Sequence, residues 1–137
     1  IPGQFVKNKS VRANPTLIKE LIRNLIDNAL NYTPSTAEQP GVVTARVFTD
    51  DQTCILQVED SGIGIPDAEK QLVMQPFYRA LGTNTDGSGL GLAIVHEIVK
   101  KHGAVLTIED ANPGHIPAGA KFTIRFFLNP RDRLDNQ

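Results

Sequence analysis

Three stretches of this sequence combine residue types and spacings that chemistry could use. The first holds Glu20, Asn24, Asp27, Asn28 and Asn31, which fall in one narrow arc when the segment is wound at about 100° per residue. Asn is a poor interior helix former, and a merely wetted face more often carries Glu, Lys or Gln. Two readings stand: a solvated helix face, or carboxamides wanted as uncharged oxygen ligands. In the second stretch, Asp60 follows β-forming residues and precedes Gly62, Gly64, Ile65 and Pro66. A carboxylate beside a freely bending backbone can accept a hydrogen bond from an exocyclic amine such as that of adenine. The same residues also make an ordinary turn out of a strand. The third stretch sets Gly87, Gly89 and Gly91 alternately at the entrance to an apolar-periodic run. Bare amides at the positive end of a helix dipole suit phosphates, although a flexible loop running into a helix has the same composition. The P-loop spacing and its lysine are absent. Thr83–Asp86 reads as loop rather than strand, which excludes a dinucleotide fingerprint.

The elements that must carry these residues follow from periodicity. Asn14-Pro15 is a helix opening, with Asn as cap and Pro at the first helical position. Ile18, Leu21, Ile22, Leu25, Ile26 and Ala29 then recur at helical spacing until Thr33-Pro34 stops the pattern. Residues 42–49 and 53–59, separated by Asp50-Asp51-Gln52, read as a β-hairpin. Residues 67–74 read as a short helix, and 89–102 as a long one ended by Gly103. Residues 104–109 and 121–128 form another strand pair across a Pro/Gly-rich loop. Strands in adjacent pairs mixed with helices predict an α/β sandwich: a mixed, largely antiparallel sheet with helices packed on one face.

Composition bounds the rest. The 137 residues suit one domain with a core of its own, spanning 1–128, with a polar tail over 129–137. A net charge of -1 lacks the basic footprint of a nucleic-acid binder. No apolar run approaches the ~20 residues that span a bilayer. The single cysteine, Cys54, forms no internal bridge, and three scattered histidines make no zinc set. A start at Ile1-Pro2-Gly3 rather than Met reads as an excised domain.

Taken in series, the three stretches resemble the ATP-binding catalytic domain of bacterial sensor histidine kinases. The wider superfamily holds DNA gyrase, Hsp90 and MutL, and shares the Bergerat-type ATP-binding fold. The resemblance covers about Val11 to Leu128. Asn24 to Pro34 looks like the N box, Asp60 to Pro66 the G1 box, Pro76 to Arg79 the F box, and Gly87 to Leu92 the G2 box. Gly119 to Phe122 resembles the closing glycine motif before the last strand. The resemblance implies ATP and Mg²⁺ as cofactors, with Asn28 the side-chain metal ligand. It implies Asp60 on the adenine amino group and Tyr32 near the base or ribose. Gly62, Gly64 and Ile65 would run close to the nucleotide, and Gly87, Ser88, Gly89, Leu90, Gly91 and Leu92 would meet the phosphates. Asn24, Asn31 and Thr123 are further expected nucleotide contacts. Phe77 and Arg79 would ride on a lid over about 66–88. Asn24, Asn28 and Arg79 would be the catalytic side chains. Many relatives carry Lys or Arg where Asn31 stands, which leaves phosphate neutralisation to Arg79, another lid residue or the amides. The run from Pro76 to Gly89 is similar to kinases regulating tricarboxylate transport.

The resemblance also implies what the fragment does and lacks. Hydrolytic relatives place a Glu one helical turn before the metal asparagine, as base for water. Here Asn24 stands there, and a carboxamide cannot take that proton. That favours transfer of the γ-phosphate to a histidine over hydrolysis. His96-Glu97-Ile98 superficially matches a phosphoacceptor motif, but it sits mid-helix without the downstream proline, so His96 reads as an ordinary helix residue. The acceptor histidine is expected on a dimerisation domain outside this chain, with a response-regulator aspartate as the next recipient. The fragment is then expected to be monomeric and to bind ATP without phosphorylating itself. It would be a cytoplasmic domain of an inner-membrane sensor, without nucleic-acid or membrane contact of its own. The alternatives are an ATP-hydrolysing clamp, an anti-sigma-type serine kinase, and a nucleotide-binding module without activity.

Overall fold

The computed structural model describes residues 11–75 and 91–128. Helix α1 spans Pro15–Asn31. Its opening follows from Asn14, whose side-chain oxygen accepts from the amides of Thr16 at 3.0 Å and Leu17 at 3.2 Å. Such a cap contributes about 1 kcal/mol. Leu21, Leu25 and Ala29, four residues apart, form the fully buried stripe of α1. Strands β1 (Val43–Thr49) and β2 (Thr53–Asp60) form the expected hairpin. Asp50 Oδ1 closes its turn, accepting from the amides of Gln52 and Thr53 and from the Thr53 hydroxyl. These donors hold the Asp50 carboxyl below its ordinary range, the Thr53 hydroxyl contributing most.

Residues 67–74 depart from the expected single helix. They form two 3-10 turns, Asp67–Glu69 and Leu72–Met74, closed by bonds from Glu69 N–H to Pro66 and from Gln75 N–H to Leu72. Val73 is their one fully buried side chain, too little apolar surface to sustain a continuous helix. Lys70 ties this segment down, pairing with Asp67 and, at 3.0 Å, with Asp110.

Helix α2 is described over Gly91–Lys101, followed by strands β3 (Val105–Asp110) and β4 (Ala120–Phe127). The four strands are antiparallel in the order β1-β2-β4-β3, so the hairpin's inner strand pairs with the last strand of the chain. Strand alternation gives one face to the helices. Leu56, Val58, Phe122, Ile124 and Phe126 pack there against Leu21, Leu25, Val95, Ile98 and Val99. A histidine joins the two helices. His102 bonds Ile98 O through Nδ1 at 2.8 Å, and its Nε2 accepts the Asn14 amide at 3.1 Å. Its ring meets Phe126 edge-on, with centroids 6.2 Å apart.

Candidate functional site

The α1 arc is not uniformly wet. Glu20, Asn24 and Asn28 are half-buried, whereas Asp27 and Asn31 are exposed. Asn24 donates through Nδ2 to the Glu20 carbonyl at 2.8 Å. That bond orients its Oδ1, which stands 3.2 Å from where a Cβ on Gly91 would lie. The first turn of α2 thus approaches α1 directly over this oxygen. The Glu20 carboxylate turns outward to Arg23, 3.6 Å away. Asn28, one turn on from Asn24, makes no side-chain hydrogen bond among the described residues. A half-buried carboxamide with an uncommitted oxygen fits the oxygen-ligand chemistry of Mg²⁺, which keeps waters and phosphates as its other ligands. No group of three or more His, Cys, Asp or Glu capable of holding a metal occurs among the described residues.

Asp60 lies at the end of β2 and is only 5% exposed. Its Oδ1 accepts from the amides of Gly62 at 2.9 Å and Ala120 at 3.2 Å. Both bonds fall on one oxygen, which leaves Oδ2 to accept from a donor outside the chain. Burial raises the Asp60 pKa, and the two amides oppose that rise without cancelling it. A fixed, desolvated acceptor of this kind discriminates strongly between a partner with an N–H and one without.

Close backbone approach explains two glycines. A Cβ on Gly62 would lie 2.0 Å from the Tyr32 carbonyl oxygen, so Gly62 brings the end of α1 against the end of β2. A Cβ on Gly119 would lie 2.1 Å from the Asp60 carbonyl oxygen, and Gly119 N–H donates to Gly62 O at 3.1 Å. Asn24 and Asn28 on α1, Tyr32 at its C-cap, Asp60 at the end of β2, Gly62 after it, Gly64 beside Gly119, and Gly91 on α2 therefore share the end of the domain where these elements converge.

Other expected site residues sit elsewhere. Ile65 and Leu92 have their side chains in the core. Thr123 accepts from Gln57 Nε2 at 3.2 Å, on the sheet face opposite to Phe122 and hence away from the helices. The structure does not bring it to the Asp60 cluster. Phe77, Arg79, Gly87, Ser88, Gly89 and Leu90 lie outside the described residues, as do most of the expected lid and the run similar to tricarboxylate-transport kinases. His96 is exposed on α2, an ordinary helix position. Reading the sequence missed Ala120, whose amide is the second anchor of Asp60. Its side chain carries no chemical signal, and the bond spans sixty residues.

A family model described as histidine kinase-, DNA gyrase B- and HSP90-like ATPase matches residues 13–130. The chain belongs to this family. Its relatives are sensor histidine kinases. It is 44% identical over 105 residues to the signal transduction histidine-protein kinase/phosphatase MprB of Mycobacterium sp. (strain KMS), a match covering 75% of this chain and 20% of that protein. It is 34% identical over 135 residues to the circadian input-output histidine kinase CikA of Synechococcus elongatus, covering 91% of this chain and 17% of that protein. The chain thus spans about a fifth of the length of the curated relatives it matches. Among solved structures, a mycobacterial sensor histidine kinase MprB superposes with a TM-score of 0.79 at 33% identity, covering 89% of this chain and 79% of that one. A nucleotide-free catalytic domain of the histidine kinase ThkA gives a TM-score of 0.70 at 28% identity, covering 89% and 73%. The antiparallel sheet with helices on one face is the architecture that the family's ATP-binding domains share. Among the described residues, no helix is long and apolar enough to cross a membrane.

Proposed function

We propose that this domain binds Mg-ATP at the Asp60 cluster and presents its γ-phosphate to a histidine on a separate dimerisation domain. The observation that carries the reading is Asp60, a buried carboxylate with one oxygen fixed by two amides and the other left open. Oδ2 accepts the adenine amino group, while Gly62 lets Tyr32 approach the same space. The Asn28 carboxamide oxygen is the side-chain ligand of Mg²⁺, which when bound neutralises phosphate charge and orients the γ-phosphoryl group. Asn24 presents an oxygen rather than a proton-accepting carboxylate, so no base for water stands one turn before Asn28. Attack by an imidazole nitrogen forms a P–N bond as the bond to the ADP oxygen breaks. The phosphohistidine then passes its phosphoryl group to a response-regulator aspartate. Membership of the family and the sensor-kinase relatives support this reading. They equally suit a cytoplasmic domain within a larger membrane sensor.

Titration calorimetry with Mg-ATP, on the wild type, Asp60→Asn and Asn28→Ala, tests the site. Both variants are expected to lose binding, and unchanged affinity in both would refute the assignment. Incubation with labelled ATP and a separately prepared phosphoacceptor domain tests the chemistry. Label is expected on the acceptor only. Steady phosphate release without acceptor, at the rate of a dedicated ATPase, would favour a hydrolytic clamp.

A further inference from the structure

The chain leaving Asp60 returns to the residue that faces Asp60's own second anchor. After Asp60 it passes Gly62, Gly64 and Pro66 into the 3-10 turn Asp67–Glu69. The next residue, Lys70, reaches across to β3, where its Nζ donates to Asp110 Oδ1 at 3.0 Å. Asp110 is the last residue of β3 and stands opposite Ala120, the first of β4. Ala120 N–H in turn donates to Asp60 Oδ1 at 3.2 Å. Inside this circuit Gly119 N–H bonds Gly62 O at 3.1 Å, and a Cβ on Gly64 would lie 3.0 Å from Gly119 O. The Lys70–Asp110 pair thus closes a ring to which Asp60 and its second amide belong.

The strand pairing shows what this ion pair controls. Ala120 turns its amide toward Asp60, on the β2 side, while the Ala111 amide donates to Gly119 O at 3.3 Å. Asp110 and Ala120 are therefore a non-hydrogen-bonded pair of the β3–β4 ladder, the kind whose side chains stand closest. They also sit at the end of that ladder, where strands open most readily. The Lys70 side chain is 15% exposed and that of Asp110 33%. A lysine so enclosed is ordinarily paired. Removing it would leave a partly enclosed carboxylate without its cation, which costs more than the pair itself contributes. Asp110 can regain water by swinging the end of β3 outward, and Ala120, which it stands against, moves with it.

We propose that Lys70 is a positioning residue for the nucleotide site: by holding Asp110 it keeps the Ala120 amide on Asp60, and so aims the open carboxylate oxygen. The proposal rests on the nucleotide reading of Asp60. Lys70 acts only through Asp110 and Ala120. Its other partner, Asp67, is 93% exposed and lies three residues back in the same segment, so that pair joins no two elements. The consequence is specific to one end of the site. Losing Lys70 loosens the adenine end at Asp60 and leaves the metal end, at Asn24 and Asn28 on α1, as it was.

Hydrogen exchange of the nucleotide-free domain tests the positioning without any ligand, and calorimetry with ADP tests its effect on the site. In Lys70→Met the Ala120 amide is expected to exchange about tenfold faster relative to that of Ile124, which lies fully buried in mid-strand and reports global opening. ADP affinity is expected to fall about fivefold, by the same factor with Mg²⁺ and in excess EDTA. Lys70→Arg, which can still donate to Asp110, should restore both, and Asp67→Ala should change neither. Asp110→Asn removes the charge but keeps an oxygen for Lys70, and is expected to speed the Ala120 amide by about threefold. Should Lys70→Met fail to fold, Asp110→Asn decides. An Ala120 amide that keeps its wild-type exchange relative to Ile124, or a loss of affinity confined to the magnesium complex, overturns the inference. A wild type that binds no ADP would instead refute the nucleotide reading, a failure distinguishable from this one because the Ala120 exchange is read without ligand.

Discussion

The side-chain amide of Asn24 donates to the Glu20 carbonyl at 2.8 Å, so its oxygen and not its nitrogen faces the start of α2. A carbonyl must receive an N–H, which fixes the orientation of the carboxamide without ambiguity between its two ends. In the proposed site Asn24 would then meet a bound nucleotide as an acceptor, toward metal-bound water, rather than as a donor to phosphate. Asn24→Ala is expected to weaken Mg-ADP binding by about tenfold, the usual cost of removing a group that orients a metal's ligands. ADP in excess EDTA should bind as before. Calorimetry with and without Mg²⁺ checks this, and an equal loss in both conditions would make Asn24 a phosphate donor.

Asp60→Asn separates recognition from folding. An Asn oxygen can keep the bonds from Gly62 and Ala120, while its amide puts a donor where adenine offers another donor. Adenine-nucleotide affinity is expected to fall by about a hundredfold or more. Stability should move the other way. Burial raises the Asp60 pKa above its unfolded value, so ionisation costs more in the folded state, and this cost is fully present only above the raised value. Asp60→Asn removes it. Thermal unfolding is expected to show the variant at least as stable as wild type at pH 7, with the difference shrinking as pH falls toward the ordinary carboxylate range.

What could be read without coordinates was local. The stripe of Leu21, Leu25 and Ala29, the Asn14 cap and the Asp50–Thr53 turn each rest on residues a few positions apart, and each formed as its pattern implied. The second anchor of Asp60 was not legible, because Ala120 contributes only an amide and β4 reaches β2 after α2 and β3 have intervened. Thr123 shows a pattern that was available but unused. Phe122 and Ile124 are strongly apolar neighbours in a strand, so the residue between them must face the other side of the sheet. The two 3-10 turns illustrate the opposite limit, where composition permits a helix but too few side chains find a core.

Two glycines should respond very differently to the same substitution. Gly62→Ala drives a Cβ to 2.0 Å from the backbone oxygen of Tyr32, and backbone on both sides leaves nothing flexible to yield. A loss of about 3 kcal/mol or more is expected, with nucleotide binding lost alongside. Gly103 ends α2 at φ +60°, with no atom within 4 Å of an added Cβ. Gly103→Ala then carries only the left-handed backbone cost of about 1–2 kcal/mol. Calorimetric unfolding should rank the two clearly, and near-equal shifts would mean that the α1–β2 contact relaxes freely.

His102 fastens the entrance of α1 to the exit of α2, and it does so in one tautomer. The Ile98 carbonyl can only accept, so Nδ1 carries the proton, and Nε2 is left bare to accept the Asn14 amide. Nitrogen chemical shifts of the imidazole should report this Nδ1-protonated form in the native protein. His102→Ala removes both bonds and the edge contact with Phe126, and is expected to cost about 2 kcal/mol, roughly 1 for each hydrogen bond. His102→Gln, which can offer one donor and one acceptor, should recover part of that loss. A Phe of similar ring size should keep the Phe126 contact yet recover less, because it leaves the Asn14 amide and the Ile98 carbonyl without their partner. If Phe proved as good as His in thermal unfolding, packing rather than hydrogen bonding would be what joins the two helices at this end.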